Sequence, residues 1–204
     1  MPILFKRPVG DGFLAVWRRE ESTEQLLSGI VLSPAEQASY RQIAPYPKRR
    51  KEWLTWHRMI RDFLGPEVHA DYDAEGRPVL IGHEGHISIS HSNDFVVLYY
   101  STGVCGVDIE NCGRRFERVS DRYISPEEWM LPGASRNNRF QALMWCLKET
   151  AYKYARTQGL DFIRDIRITH IDIHASWTEV RIRGQEPLRL KYEFIQDHCL
   201  AYTY

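Results

Sequence analysis

The sequence predicts an α+β chain made of a duplicated unit, two halves related by a pseudo-twofold axis with a boundary at 102/103. The first observation is a wealth of short apolar-alternating segments bounded by turn residues, which read as strands. The second is a long tryptophan-containing amphipathic helix in each half. The third is an internal echo: "SNDFVVLYY" (92–100) and "QDHCLAYTY" (196–204) both read as turn then strand, and their aspartates, Asp94 and Asp197, stand 103 residues apart, about half of the 204-residue chain.

Taken in order, "SPAEQASYRQI" (33–43) opens with Ser33 as N-cap, Pro34 at the first helical position and Glu36 three residues past the cap, a capping box. "KRRKEWLTWHRMIRDFLG" (48–65) carries Trp53, Trp56, Ile60, Phe63 and Leu64 on one stripe and stops at Gly65-Pro66. "RFQALMWCLKETAYKYARTQG" (139–159) predicts a helix running to Gly159, with Leu143, Leu147, Ala151 and Tyr154 facing a core. Strands are expected in "FLAVWRR", "HISISHS", "FVVLYYS", "GVCGVDIE", "IRITHIDIH", "TEVRIR", "LRLKYEFI" and "CLAYTY".

Composition excludes several classes. Lys+Arg and Asp+Glu are both 27, so the formal charge is zero and bulk capture of nucleic acid or membrane is not expected. No apolar run approaches the roughly 20 residues that span a bilayer. The beginning of the sequence, MPILFKRPVGDG, lacks the layout of a signal peptide, and Cys105, Cys112, Cys146 and Cys199 show no CxxC spacing, so free thiols in a reducing cytoplasm are expected.

The chemistry concentrates in "GVCGVDIENCG" (103–113). Successive strand side chains alternate, so Asp108 and Glu110 project to one face, where they repel each other unless a cation lies between them. A third carboxylate, Glu149, stands in "WCLKETAYK", where Trp145, Lys148, Glu149, Tyr152 and Lys153 are spaced as one helix face. A lone DxE is usually a solvated strand end, and a Glu149–Lys153 pair alone is an ordinary surface contact of about 0.3–0.5 kcal/mol. Neither explains a tryptophan, two lysines and an acid opposite an apolar stripe. Three carboxylates suit a hard cation such as Mg²⁺, and the lysines suit phosphate. Ser90 and His91, at the polar end of "HISISHS", suit an anion site. No GxGxxG, P-loop, GxSxG or HExxH is present.

"GRPVL…HISISHS", "GVCGVDIE" and "WCLKETAYK", in this order, resemble the 4′-phosphopantetheinyl transferase superfamily, and the length is similar to its Sfp-like class. The family pattern (I/V)G(I/V)D(I/L)E followed by W-x-x-K-E-x-x-x-K is matched by Gly106, Val107, Asp108, Ile109 and Glu110, then Trp145, Lys148, Glu149 and Lys153. The resemblance implies a pseudo-dimer of two α/β-sandwich-like halves, 1–102 and 103–204, each an antiparallel sheet packed against a long helix. The first would carry the coenzyme A nucleotide contacts, the second the acids and the carrier-protein contacts. It implies Mg²⁺-dependent transfer of phosphopantetheine from coenzyme A to a serine of an apo acyl or peptidyl carrier protein, the reaction of a holo-[acyl-carrier-protein] synthase, by a cytoplasmic monomer. Asp108, Glu110 and Glu149 would hold Mg²⁺ (or Mn²⁺), and Glu149 would also deprotonate the serine. Lys148 and Lys153 would meet the pyrophosphate together with Ser90 and His91, and Arg77-Pro78 would lie along the adenine. Arg49, Arg50 or Lys51 would hold the 3′-phosphate. Many members have arginine four residues after the aromatic of this helix; here that residue is His57, followed by Arg58.

Arg114, Arg115, Arg118 and Arg122 cluster around Phe116 in "NCGRRFERVSDRYISPEEW" (111–129). Such a run is ordinarily a solvated face. The family uses this region for its protein partner, so Arg114, Arg115, Phe116 and Arg118 are expected to dock an acidic carrier protein. Two other functions compete: a non-catalytic carrier- or coenzyme-binding module, and another Mg²⁺-dependent phosphotransferase or pyrophosphatase.

Overall fold

The computed structural model describes residues 2–204, and the chain resolves into two compact units, Met1–Val104 and Cys105–Tyr204. The first unit contains strands β1 (Ile3–Val9) and β2 (Gly12–Arg18), helices α1 (Thr23–Ser28), α2 (Pro34–Ile43) and α3 (Pro47–Leu64), the hairpin β3 (His69–Tyr72) and β4 (Pro78–Ile81), and strands β5 (His86–His91) and β6 (Phe95–Ser101). Its main sheet is antiparallel, in the order β1-β2-β6-β5. Helix α2 begins as its sequence requires, with the Ser33 hydroxyl accepting from Glu36 N and the Glu36 carboxylate accepting from Ser33 N. Helix α3 buries Trp53, Leu54, Trp56, Met59 and Ile60 against Ala15, Trp17, Ile87, Val96 and Leu98 of the sheet.

The second unit comprises β7 (Val107–Asn111), three short 3₁₀ turns, helix α4 (Asn138–Ala155) and strands β8 (Ile166–Asp172), β9 (Trp177–Ile182), β10 (Leu188–Ile195) and β11 (His198–Thr203). The sheet is antiparallel, in the order β7-β11-β10-β9-β8. Leu143, Met144, Cys146, Leu147 and Ala151 of α4 pack on Ile166, Ile168, Val180, Leu190, Cys199 and Ala201. The chain is thus mixed α+β with antiparallel sheets.

Two elements are shorter than their sequences suggest. The helix expected to reach Gly159 ends at Ala155, because Arg156 adopts a left-handed conformation with φ of 51°. The strand expected from Gly103 begins only at Val107. Ahead of it, Gly106 donates to Thr203 Oγ1 and lies against α4: a Cβ at this position would stand 2.4 Å from the Thr150 carbonyl oxygen. The sequence reading did not include β1, α1 or the β3–β4 hairpin.

The first unit also buries a charged cluster. Glu36, 1% exposed, accepts from Arg61 Nη2 at 2.7 Å and from Ala70 N at 3.2 Å. His57, also 1% exposed, has Nδ1 2.8 Å from the Trp53 carbonyl oxygen and lies between Trp53 and Trp56. Burial works against the Glu36 charge, but Arg61 and the backbone donors overrule it and hold the pKa at about 2. Burial takes His57 down to about 3. The Glu36 contribution to stability is complete above its ordinary 4.5 and lost as pH falls towards 2. That of neutral His57 is complete above 6.5 and lost as pH falls towards 3. These two groups alone thus make the fold less stable on acidification below pH 6.5, the His57 part by about 1.4 kcal/mol per pH unit. In thermal melts, the stability of His57→Gln relative to wild type should rise as pH falls from 6.5 to 5; a constant difference would remove His57 from this account.

Candidate active site

Strand β7 carries Asp108 opposite Ala201 and Glu110 opposite Cys199. Ala201 and Cys199 belong to the core beneath α4, so both acids face that helix. Gly106 makes this possible, since the missing side chain lets the backbone come against α4 at Thr150. Asp108 is 4% exposed, and its Oδ1 accepts from Lys153 Nζ at 2.8 Å; the same ammonium donates to the Val107 carbonyl at 3.0 Å. Glu110 accepts from Trp145 Nε1 at 3.1 Å and from Arg114 Nη1 at 2.5 Å.

Glu149 shares this polar centre. Burial first, then the Asp108 charge, push its carboxyl up to about 7, against Lys153 and with help from Glu110. Glu110 is raised by burial and then by Asp108, against Arg114 and Trp145. For Lys153, burial alone would lower the pKa; Asp108, through its charge and its hydrogen bond, and Glu149 hold it above the ordinary value. Three acids and two bases leave a net negative centre whose acids destabilise one another. Its donors are hard oxygens, the set that suits Mg²⁺ rather than a soft metal. Among the described residues, no three His, Cys, Asp or Glu side chains are gathered closely enough to hold a metal ion.

Lys148 is not part of this centre. It is fully buried, with Nζ 2.8 Å from Glu128 Oε2 and 2.6 Å from the Phe162 carbonyl oxygen. Glu128 in turn accepts from Ser125 N and Ile168 N, both at 2.8 Å. One residue along a helix is a turn of about 100°, so Lys148 points into the core while Glu149 does not. The expected pyrophosphate contact at Lys148 is corrected: its ammonium ties α4 to the loop before it and to β8. Phe116 is corrected likewise. It is 3% exposed and packs in the second unit's core, so its ring offers nothing to a partner, although Arg114, Arg115 and Arg118 around it are exposed.

In the first unit, Arg19, Lys48, Lys51, Ser22, Thr23 and Asn93 line a cavity of about 510 Å³. Arg49 and Arg50, which the sequence reading favoured, are not among its lining residues: helical spacing turns positions 48 and 51 one way and 49 and 50 away. The Arg49 guanidinium lies over the Tyr46 ring instead. Arg58 is bound to Asp62 at 2.8 Å and His57 is enclosed, so neither lines this cavity. Ser90 and His91 diverge. Ser90 is buried, whereas His91 is exposed with Nδ1 3.6 Å from Glu52 Oε1. Arg77 closes the turn into β4, with Nη1 3.9 Å from Asp73 Oδ2, and Pro78 begins that strand. Sequence reasoning missed Arg19, Glu52 and Glu128; the only signal was the placement of acids within or near basic runs.

Two outcomes are expected here. Lys148→Ala should cost about 3–5 kcal/mol in denaturant unfolding, because it strands the buried Glu128 charge; a loss under about 1 kcal/mol would contradict the staple. For Glu149, the folded chain keeps a proton that the unfolded chain releases between about 4.5 and 7. Wild-type stability therefore declines as pH rises through that window and stays lower above it. Glu149→Gln should gain on wild type by roughly 2–3 kcal/mol between pH 4.5 and 8; identical melting curves at both pH values would refute the raised pKa.

Among the described residues, no helix is long and apolar enough to cross a membrane. No curated protein matches the chain. Residues 104–203 match the family model of the 4′-phosphopantetheinyl transferase superfamily, a stretch that coincides with the second unit and contains all three carboxylates of the candidate site.

Proposed function

We propose that the protein transfers the 4′-phosphopantetheine group of coenzyme A to a serine of an apo carrier protein, releasing adenosine 3′,5′-bisphosphate. The observation that carries this reading is the centre made by Asp108, Glu110, Glu149 and Lys153, within the stretch that matches the transferase superfamily. Asp108, Glu110 and Glu149 are the residues that would hold Mg²⁺, with Mn²⁺ as the alternative; they are not gathered closely enough in this structure to do so, so binding would require their side chains to converge. The ion, when bound, would supply positive charge to the pyrophosphate.

The rest follows from the chain's own groups. Glu149 has a pKa of about 7, so near neutrality it can accept the proton of the attacking serine hydroxyl. Lys153, held cationic by Asp108, faces charge that builds on the leaving phosphate. Arg19, Lys48 and Lys51 supply positive charge to the cavity of the first unit, which suits the 3′-phosphate end of the nucleotide. Arg77 and Pro78 are assigned to the adenine, and Ser90 and His91 to the diphosphate. Arg114, Arg115 and Arg118 are exposed and suit an acidic carrier surface.

The two units also share an order of elements. In the first, β2, α3 and the hairpin β5–β6 bring β6 between β2 and β5; in the second, β7, α4 and the hairpin β10–β11 bring β11 between β7 and β10. Helices α3 and α4 each have 18 residues. This order supports reading the units as copies of one α+β motif, as in the Sfp-like class.

Incubation with coenzyme A, Mg²⁺ and an apo carrier protein should add one phosphopantetheine to the carrier by intact mass. Glu149→Gln should lower the rate at least about a hundredfold, as loss of a general base does. Wild-type turnover in that variant, or in EDTA, would sink the assignment. Reversing charge at Arg115 and Arg118 should raise the carrier KM while coenzyme A affinity holds; an equal loss of both would remove the docking role.

A further inference from the structure

We infer that Trp145 is a positioning residue for Glu110: its indole N–H fixes one oxygen of the carboxylate and leaves the charge, with the second oxygen, for a cation. The inference rests on the reading above that Glu110 belongs to a metal site, and it adds a residue that would touch neither the ion nor a substrate.

Two side chains of α4 reach the acids of β7. Lys153 Nζ donates to Asp108 Oδ1 at 2.8 Å, and Trp145 Nε1 donates to Glu110 Oε1 at 3.1 Å. They treat their acids differently. An ammonium cancels the charge of its partner, whereas an indole N–H is an uncharged donor that orients a carboxylate and leaves it anionic. The second oxygen of Glu110, Oε2, accepts from Arg114 Nη1 at 2.5 Å. The Arg114 side chain is 56% exposed and that of Glu110 13%. Water competes for this arginine, so its hold is the weaker of the two and an ion can take its place.

The indole cannot leave in the same way. Its ring packs edge-on against Tyr123, with centroids 5.1 Å apart, and against Phe162 at 5.5 Å. Tyr123 is fully buried, and its hydroxyl donates to the Gln141 carbonyl oxygen at 3.1 Å. The Phe162 carbonyl oxygen accepts from the Lys148 ammonium at 2.6 Å, so this neighbour of the ring is tied to the buried pair that locks α4. An indole N–H withdrawn from water needs a partner, and this one finds it 35 residues back in the sequence, on a carboxylate of the site. Trp145 also stands one turn ahead of Glu149 on the same face of α4, so the helix that supplies the third acid orients the second. Fixing the Glu110 carboxylate before an ion arrives lowers the ordering cost of binding.

Mn²⁺ is the probe, because the electron paramagnetic resonance of the free ion reads binding without turnover. With coenzyme A present, Trp145→Phe should bind Mn²⁺ about tenfold more weakly, within the range seen when an outer partner of a metal ligand is lost. The substitution keeps an aromatic ring between Tyr123 and Phe162 and changes no charge, so the local field is the same in both proteins. In a Glu110→Ala background it should change Mn²⁺ affinity less than about twofold, because the two residues act through one contact. If Trp145→Phe fails to fold, as judged by circular dichroism and melting, benzothienylalanine at position 145 provides the same test, since it exchanges only the N–H for sulfur. Unchanged or tighter Mn²⁺ binding in a folded variant overturns the inference. A tenfold loss that persists without the Glu110 carboxylate overturns it too. Failure of the wild type to bind Mn²⁺ overturns the three-acid metal reading along with it.

Discussion

Where β7 meets α4, a glycine backbone lies against a helix carbonyl with no room for a Cβ, and that close approach governs the chemistry of the second unit. Two residues on, Asp108 is carried down towards the helix and almost wholly out of water. A carboxylate so placed requires a cation, and Lys153 provides one at 2.8 Å. The helix that brings Lys153 also brings Glu149, one turn earlier on the same face. One lysine cannot neutralise both acids, so burial first and then the surplus negative charge raise the pKa at Glu149 and at Glu110. The electrostatic tension of the site is therefore a consequence of packing.

The chain contains other buried acids, and they show what a relaxed one looks like. Glu36 has an arginine and two backbone donors, and its pKa falls to about 2 despite burial. Glu128 has a lysine and two backbone donors, all at 2.8 Å. These acids join elements together and are satisfied by the fold itself. Glu149 is different: burial and neighbouring acids outweigh its one lysine, leaving it near 7. This imbalance, left in one place and resolved elsewhere, is what singles out the Glu149 centre as the candidate site.

Much of this was legible in the sequence because it rests on short-range rules. The Ser33–Glu36 capping box, the Trp53–Ile60 stripe and the alternation that sends Asp108 and Glu110 to one face all follow from periodicity and local hydrogen bonding. The reading erred where burial decides. Lys148 and Phe116 sit in polar-looking stretches, and nothing local indicates that one ammonium would find Glu128 twenty residues upstream or that one ring would enter the core. Arg49 and Arg50 were favoured over Lys48 because a run of bases has no obvious facing until the helix phase is known. Arg19 and Glu52 lie 33 residues apart and meet only through the tertiary fold.

The Lys148–Glu149 pair shows how one dipeptide can serve both ends at once. Adjacent helix positions differ by about 100°, so a lysine that enters the core necessarily turns the next residue out of it. Once Lys148 is locked between Glu128 and the Phe162 carbonyl, the helix cannot rotate about its axis without breaking a buried ion pair. Glu149 and, four residues further, Lys153 are thereby fixed in azimuth relative to β7. The strained acid needs this: a carboxylate surrounded by like charge will move away if its backbone permits. The buried pair prevents the escape, so stability stored at Lys148 maintains the perturbed pKa at its neighbour.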